Sequence, residues 1–83
     1  MKIKLKLFAT LRDYLPPETG GKEAVVELAE DATIPDALAV YGVPVALAHI
    51  VMINNRHVLR PDVPRRRLHE GDQLAVFPAI GGG

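Results

Sequence analysis

TIPDALAVYG, Thr33 to Gly42, is the one stretch of this chain that reads as an α-helix, and the fold follows from its being alone. Thr33 stands at the N-cap position, and Asp36, three residues on, takes the place of the acidic partner in a capping box. Pro35 falls in the first turn, where its missing N–H costs nothing. Ile34, Ala37, Leu38 and Tyr41 recur at helical spacing and make one apolar face. Gly42 ends the helix and Pro44 prevents its resumption. A helix this short is stable only when packed on something larger.

Outward from it, the apolar segments read as strands. KIKLKLFA (2–9) alternates, with Ile3, Leu5 and Leu7 on one face and Lys2, Lys4, Lys6 and Phe8 on the other. The connection TLRDYLPPETGGK carries a helical turn around Leu11 to Leu15 and leads into a second strand, EAVVELA (23–29), paired with the first as a hairpin. Beyond the helix come HIVMINN (49–55), a short HVLRP (57–61), the irregular VPRRRLHEGD and a last strand, QLAVFP (73–78). The order β-β-α-β-β-β predicts an α+β fold of the β-grasp kind: a mixed sheet of about five strands packed on one main helix. The first and last strands lie adjacent and parallel at its centre. Ile3, Leu5, Leu7, Val26, Leu28, Leu38, Leu74 and Val76 supply much of the expected core. Residues 1–78 form the domain and 79–83 a flexible glycine tail.

Composition narrows the chemistry. At 83 residues and 48% hydrophobic, the chain has the makings of one small packed domain. It contains no cysteine, which removes disulfides, thiolate metal sites and cysteine nucleophiles, and it contains no serine. No apolar run reaches the length of a membrane span, and the first ten residues alternate instead of forming a signal-peptide core. A cytoplasmic protein is the expectation. The net charge is zero but segregated: seven acids from Asp13 to Asp36 against Lys22, and five arginines from Arg56 to Arg67 against Asp62. Such a dipolar surface suits docking on charged partners or is an ordinary solvated one.

No motif points to an active site within the chain. GGKE (20–23) lacks the hydroxyl residue and the glycine spacing of a phosphate loop and reads as a turn. His49, His57 and His69 are too widely spaced for a local metal pair, so no metal site is expected. Arg65, Arg66 and Arg67 stand in a neutral chain with few aromatics, which favours a solvated loop or a rim contact over nucleic acid. The chain is read as a non-enzyme with no bound cofactor.

The last strand carries the functional signal. With Leu74 and Val76 turned toward the helix, Ala75 and Phe77 take the opposite face, where Phe8 of the first strand joins them. Val51 or Ile53 of the third strand is expected there too. Exposed apolar patches of this kind are commonly docking surfaces; the alternative is that a loop covers this one. Pro78 cannot donate to a ladder, so AIGGG leaves the domain as an arm. Three glycines are either a frayed end or bare backbone for threading into a narrow channel. Their place directly after a central apolar strand favours threading, with the terminal carboxylate attacking the α-phosphate of ATP in a partner's active site.

The segment LHEGDQLAVFPAIGGG resembles the C-terminal signature of the MoaD/ThiS family of sulfur carriers, most specifically at Gly71-Asp72, Phe77-Pro78 and Gly82-Gly83. The opening KLKLFATLRDYL resembles that of the MoaD-type members, the molybdopterin synthase small subunits. The resemblance implies a ubiquitin-like β-grasp protein. Its Gly83 carboxylate would be adenylated by a ubiquitin-activating-type (MoeB- or ThiF-like) adenylyltransferase, which uses the ATP. A sulfur donor would then convert it to a thiocarboxylate, a C-terminal 1-thioglycine. Gly81, Gly82, Pro78, Phe77 and Phe8 would contact the partners, the second of which is a synthase subunit (MoaE-like, alternatively ThiG-like). Molybdopterin synthesis is the pathway implied first. Thiamine thiazole synthesis, or a ubiquitin-like protein modifier, is the alternative.

Overall fold

The structure is a computed structural model that describes residues 1–79. Its five strands are β1 (Lys2–Leu7), β2 (Glu23–Glu27), β3 (Ile50–Ile53), β4 (Arg56–Val58) and β5 (Gln73–Phe77), and its one α-helix is α1 (Ile34–Ala39). They form a single mixed sheet in the order β2-β1-β5-β3-β4. The β1 and β5 strands are parallel at its centre, with Leu5 opposite Leu74, and the other pairings are antiparallel. This is the ubiquitin-like β-grasp arrangement.

Alternation along β1 and β5 decides which face is covered. Ile3, Leu5, Leu7, Leu74 and Val76 are buried with Ile34, Ala37 and Leu38 of the helix. The Asp36 carboxylate accepts the Thr33 backbone N–H at 2.9 Å while the Thr33 side chain accepts the Asp36 N–H, forming the capping box, and the Thr33 hydroxyl also lies 3.1 Å from the carboxylate. Six residues of helix cannot cover five strands, so the connections finish the core. Leu11 and Leu15 come from the first connection, Val43 and Ala48 follow the helix, and Val63 and Leu68 come from the segment before β5. That segment is tied to the helix start: Arg66 O accepts Ile34 N–H at 3.1 Å, and Ala32 O accepts Leu68 N–H at 2.9 Å.

Several elements are shorter than the sequence predicts. The β2 strand ends at Glu27, and Leu28, expected in the core, is half-buried at its margin. The helix stops at Ala39 and β3 spans only Ile50–Ile53. Val51 and Ile53, expected on the open face, are buried against the core, because β3 pairs with β5 so that Ile50 stands opposite Phe77. Ile50 and Met52 take the open face instead. The turn expected near Leu11 is a full 3-10 helix, Ala9–Tyr14.

Candidate functional site

The open sheet face ends in an apolar row where β1 and β5 finish side by side. Phe8 extends β1 by one residue and donates its N–H to Val76 O at 3.1 Å, which sets its side chain beside Phe77. The two rings stack with centroids 4.3 Å apart and planes 10° from parallel. Across β5, Ile50 is the register partner of Phe77, and His49 N–H reaches Phe77 O at 2.9 Å. The β3–β4 register, Val51 opposite Val58, carries Leu59 to the level of Ile50. Phe8, Ile50 and Leu59 are exposed, Phe77 is half-buried, and Met52 and Ala75 are half-buried one step further in.

This row lies at the root of the C-terminal segment. Pro78 is half-buried and Ala79 exposed. Gly81, Gly82 and Gly83, the residues the sequence assigns to the reactive arm, lie outside the described residues. Of the assigned partner contacts, Phe8, Phe77 and Pro78 come together at one rim. Ile50, Met52 and Leu59 were missed; the register of β3 against β5 finds the first two, and the β3–β4 register then places Leu59.

The opposite rim is structural. Gly71, at φ 81°, occupies the left-handed region that side chains avoid, and its N–H donates to Lys2 O at 2.8 Å. Asp72 is buried: its Oδ2 accepts His69 N–H at 2.7 Å and its Oδ1 accepts Asn54 Nδ2 at 2.9 Å. Asn54 Oδ1 accepts Gln73 N–H at 2.9 Å, so the Gly71-Asp72 turn locks the start of β5 to the β3–β4 hairpin. Two of the sequence signatures thus divide, Gly71-Asp72 positioning the start of β5 and Phe77-Pro78 standing at its end in the apolar row.

Histidines do not converge. His49 Nδ1 lies 3.3 Å from Arg60 Nη1, His69 Nδ1 lies 3.8 Å from Asp72 Oδ2, and His57 is exposed on β4. Among the described residues no three His, Asp or Glu side chains could hold a metal ion together, and no helix is long and apolar enough to cross a membrane. Gly20 and Gly21, both at positive φ, form the turn before β2. Arg65, Arg66 and Arg67 are exposed.

The model of the ThiS family matches residues 5–83. No curated protein gave a match. Among solved structures, the small archaeal modifier protein 1 of Haloferax volcanii is similar at 29% identity and a TM-score of 0.67, covering 95% of this chain and 98% of its own. The HVO 2177 protein of Haloferax volcanii is similar at 28% identity and a TM-score of 0.72, over 100% of this chain and 87% of its own. A chain from the complex of subunits 1 and 2 of the molybdopterin-converting factor of Helicobacter pylori shares the fold at 15% identity and a TM-score of 0.59, with 100% of both chains covered.

Proposed function

The chain belongs to the ThiS family, and on that premise we propose that it carries sulfur as a thiocarboxylate on Gly83. Members of this kind are sulfur carriers or ubiquitin-like modifiers, and the carrier role is the reading adopted here. The observation that supports it best is the apolar row of Phe8, Phe77, Ile50 and Leu59 at the rim where β5 ends. A partner that grips this row has the root of the arm held in a fixed place. Glycines without side chains then pass a narrow channel to the partner's active site.

The chemistry runs in two displacements. An oxygen of the Gly83 carboxylate attacks the α-phosphorus of ATP bound to the adenylyltransferase, and pyrophosphate leaves. The resulting acyl-adenylate is attacked at its carbonyl carbon by a hydrosulfide-level sulfur donor, and AMP leaves with the C–O bond that breaks. What remains is a 1-thioglycine, whose sulfur is delivered on a synthase subunit docked at the same rim. We assign the receiving pathway to molybdopterin, on the MoaD-type opening KLKLFATLRDYL. The protein supplies presentation and the partner supplies the catalytic groups, so this chain is an accessory subunit without a reaction centre of its own.

Intact-mass spectrometry tests the proposal after incubation with an adenylyltransferase of this type from the same organism, ATP and a sulfur source. Replacing one oxygen by sulfur adds roughly 16 Da, confined to the C-terminal peptide. Deleting Gly83 should abolish the gain while leaving the melting temperature unchanged. An unmodified carboxylate on the complete chain under these conditions refutes the carrier reading. The modifier reading is favoured by the likeness to the Haloferax volcanii protein described as a small archaeal modifier. It predicts that Gly83 ends in isopeptide bonds to lysines of other proteins, which a carrier would not form.

A further inference from the structure

Beside Phe8, on the side of β1 away from the tail strand, lies a cleft of about 380 Å³ lined by Lys6, Leu7, Phe8, Arg12, Lys22 and Glu23. Three of these six residues are cations and one is an anion. The anion, Glu23, offsets one of these charges; its Oε2 lies 3.7 Å from Lys4 Nζ, a fourth cation just outside the lining. The cleft is therefore a positive, partly apolar recess in a chain whose net charge is zero. Its neighbours Asp13 and Glu18 are acidic but are not part of its lining.

The recess is built by backbone geometry. The 3-10 helix Ala9–Tyr14 turns Arg12 back toward the start of β2, where its Nε donates to Gly21 O at 2.8 Å. That carbonyl is placed by the Gly20-Gly21 turn. One hydrogen bond thus orients the guanidinium plane, and its Nη groups make no hydrogen bond among the described residues. An oriented guanidinium with both Nη groups unused matches a carboxylate, which takes two parallel N–H bonds. Leu7 N–H donates to Lys22 O at 3.3 Å, which holds the Lys22 rim to β1.

We propose that this cleft receives an acidic segment of the adenylating partner, a carboxylate side chain pairing with Arg12 while an adjacent apolar side chain lies on the outer side of the Phe8 ring. This rests on the carrier reading above and adds to it the chemistry of the partner. The occupant is a protein segment because Phe8 is shared between the apolar row and the cleft, so a partner gripping the row meets the cleft at once. Its charge is set by complementarity to Lys6, Arg12 and Lys22.

The test uses the complete chain and the adenylyltransferase, by calorimetric titration in low and moderate salt. Arg12→Glu should raise Kd about tenfold in low salt, combining a lost bidentate pair with a new repulsion. Arg12→Lys should give a smaller loss, since the point charge remains and the fork does not. Arg66→Glu, an equal charge change on the far loop, should alter Kd less than about twofold. Reversing one acidic residue of the partner to Arg should restore binding to Arg12→Glu. Equal effects of Arg12→Glu and Arg66→Glu, or no effect of either, overturn the proposal. So does saturable binding of inorganic phosphate in the cleft with normal partner affinity for Arg12→Glu. Adenylation of the parent chain separates the two levels. If the parent is not adenylated the carrier reading fails, and if it is adenylated while Arg12→Glu binds normally only the cleft assignment fails.

Discussion

Truncating the stacked pair separates what Phe8 and Phe77 do for the fold from what they do for a partner. Phe8 is 36% exposed, so about two-thirds of its surface is already covered in the free chain. Full burial of a phenylalanine is worth about 1.5–3 kcal/mol, so Phe8→Ala should cost about 1–2 kcal/mol of stability. Phe77→Ala should cost a similar amount, because the same stacked contact, at 4.3 Å, supplies part of its cover. The rings should be coupled by about 0.5–1.5 kcal/mol, which makes the double variant less destabilised than the sum of the singles. In a domain of this size each kcal/mol moves the melting temperature by about 4–8 °C, so the cycle is resolvable by thermal unfolding followed by circular dichroism. Binding should respond more strongly. A central aromatic anchor removed from an interface costs about 2 kcal/mol, roughly a thirtyfold rise in Kd for the adenylyltransferase. The two readouts must therefore diverge, with a modest loss of stability and a large loss of affinity. If both alanine variants bind within twofold of the parent, the row is part of the fold's own surface and the docking argument is wrong.

Two substitutions test the scaffold beneath the row. Leu5 has no exposed surface and stands between Ala24 and Leu74 in the register, so Leu5→Ala should lower stability by about 2–5 kcal/mol, read as a fall in the urea midpoint. A midpoint matching the parent would mean that the faces of β1 are assigned the wrong way round. Asp72→Ala strands the Asn54 amide and the His69 N–H together and should cost about 1–3 kcal/mol. Once Asp72 is gone, Asn54→Ala should add less than it costs alone, and strict additivity in the double variant would show that the turn and the hairpin are not joined through this contact.

The sequence declared the parts of this fold that depend on local pattern. The helix was readable because Thr33, Pro35, Asp36 and Gly42 each act within one or two turns of where they stand. The faces of β1 and β5 were readable because apolar and polar residues alternate strictly along them. The β3 strand failed the same test because Ile50, Val51, Met52 and Ile53 are apolar on both parities. Only the pairing of Ile50 with Phe77 decides its outward set, and that pairing joins residues 27 positions apart. Strand ends were overextended for a related reason, since a strand stops where its partner stops. At the candidate site, Phe8 and Phe77 were found by parity, and Leu59 was missed because it reaches the row through two successive registers. The cleft was illegible for a simpler reason. Arg12 and Lys22 belong to different elements, and only the Gly20-Gly21 turn brings them to one rim.

The position of the row is a consequence of the topology. Because β1 and β5 run parallel, Phe8 and Phe77 leave the sheet at the same edge, and because β3 runs antiparallel to β5, Ile50 enters there. A slip of one residue in β5 would turn Leu74 and Val76 to solvent and Phe77 into the core. The hydrophobic pattern that secures the core therefore also fixes the aromatic anchor beside the departing chain. The ladder also has a defined end. His49 donates to Phe77 O, and the next residue, Pro78, has no N–H with which to continue the ladder. The boundary between the paired strand and the segment after it is thus set by covalent structure, at the residue where the apolar row stands. A partner that recognises the row measures its distance to Gly83 from that fixed boundary. Adding or removing a glycine after Pro78 should consequently change transfer without changing affinity for the row.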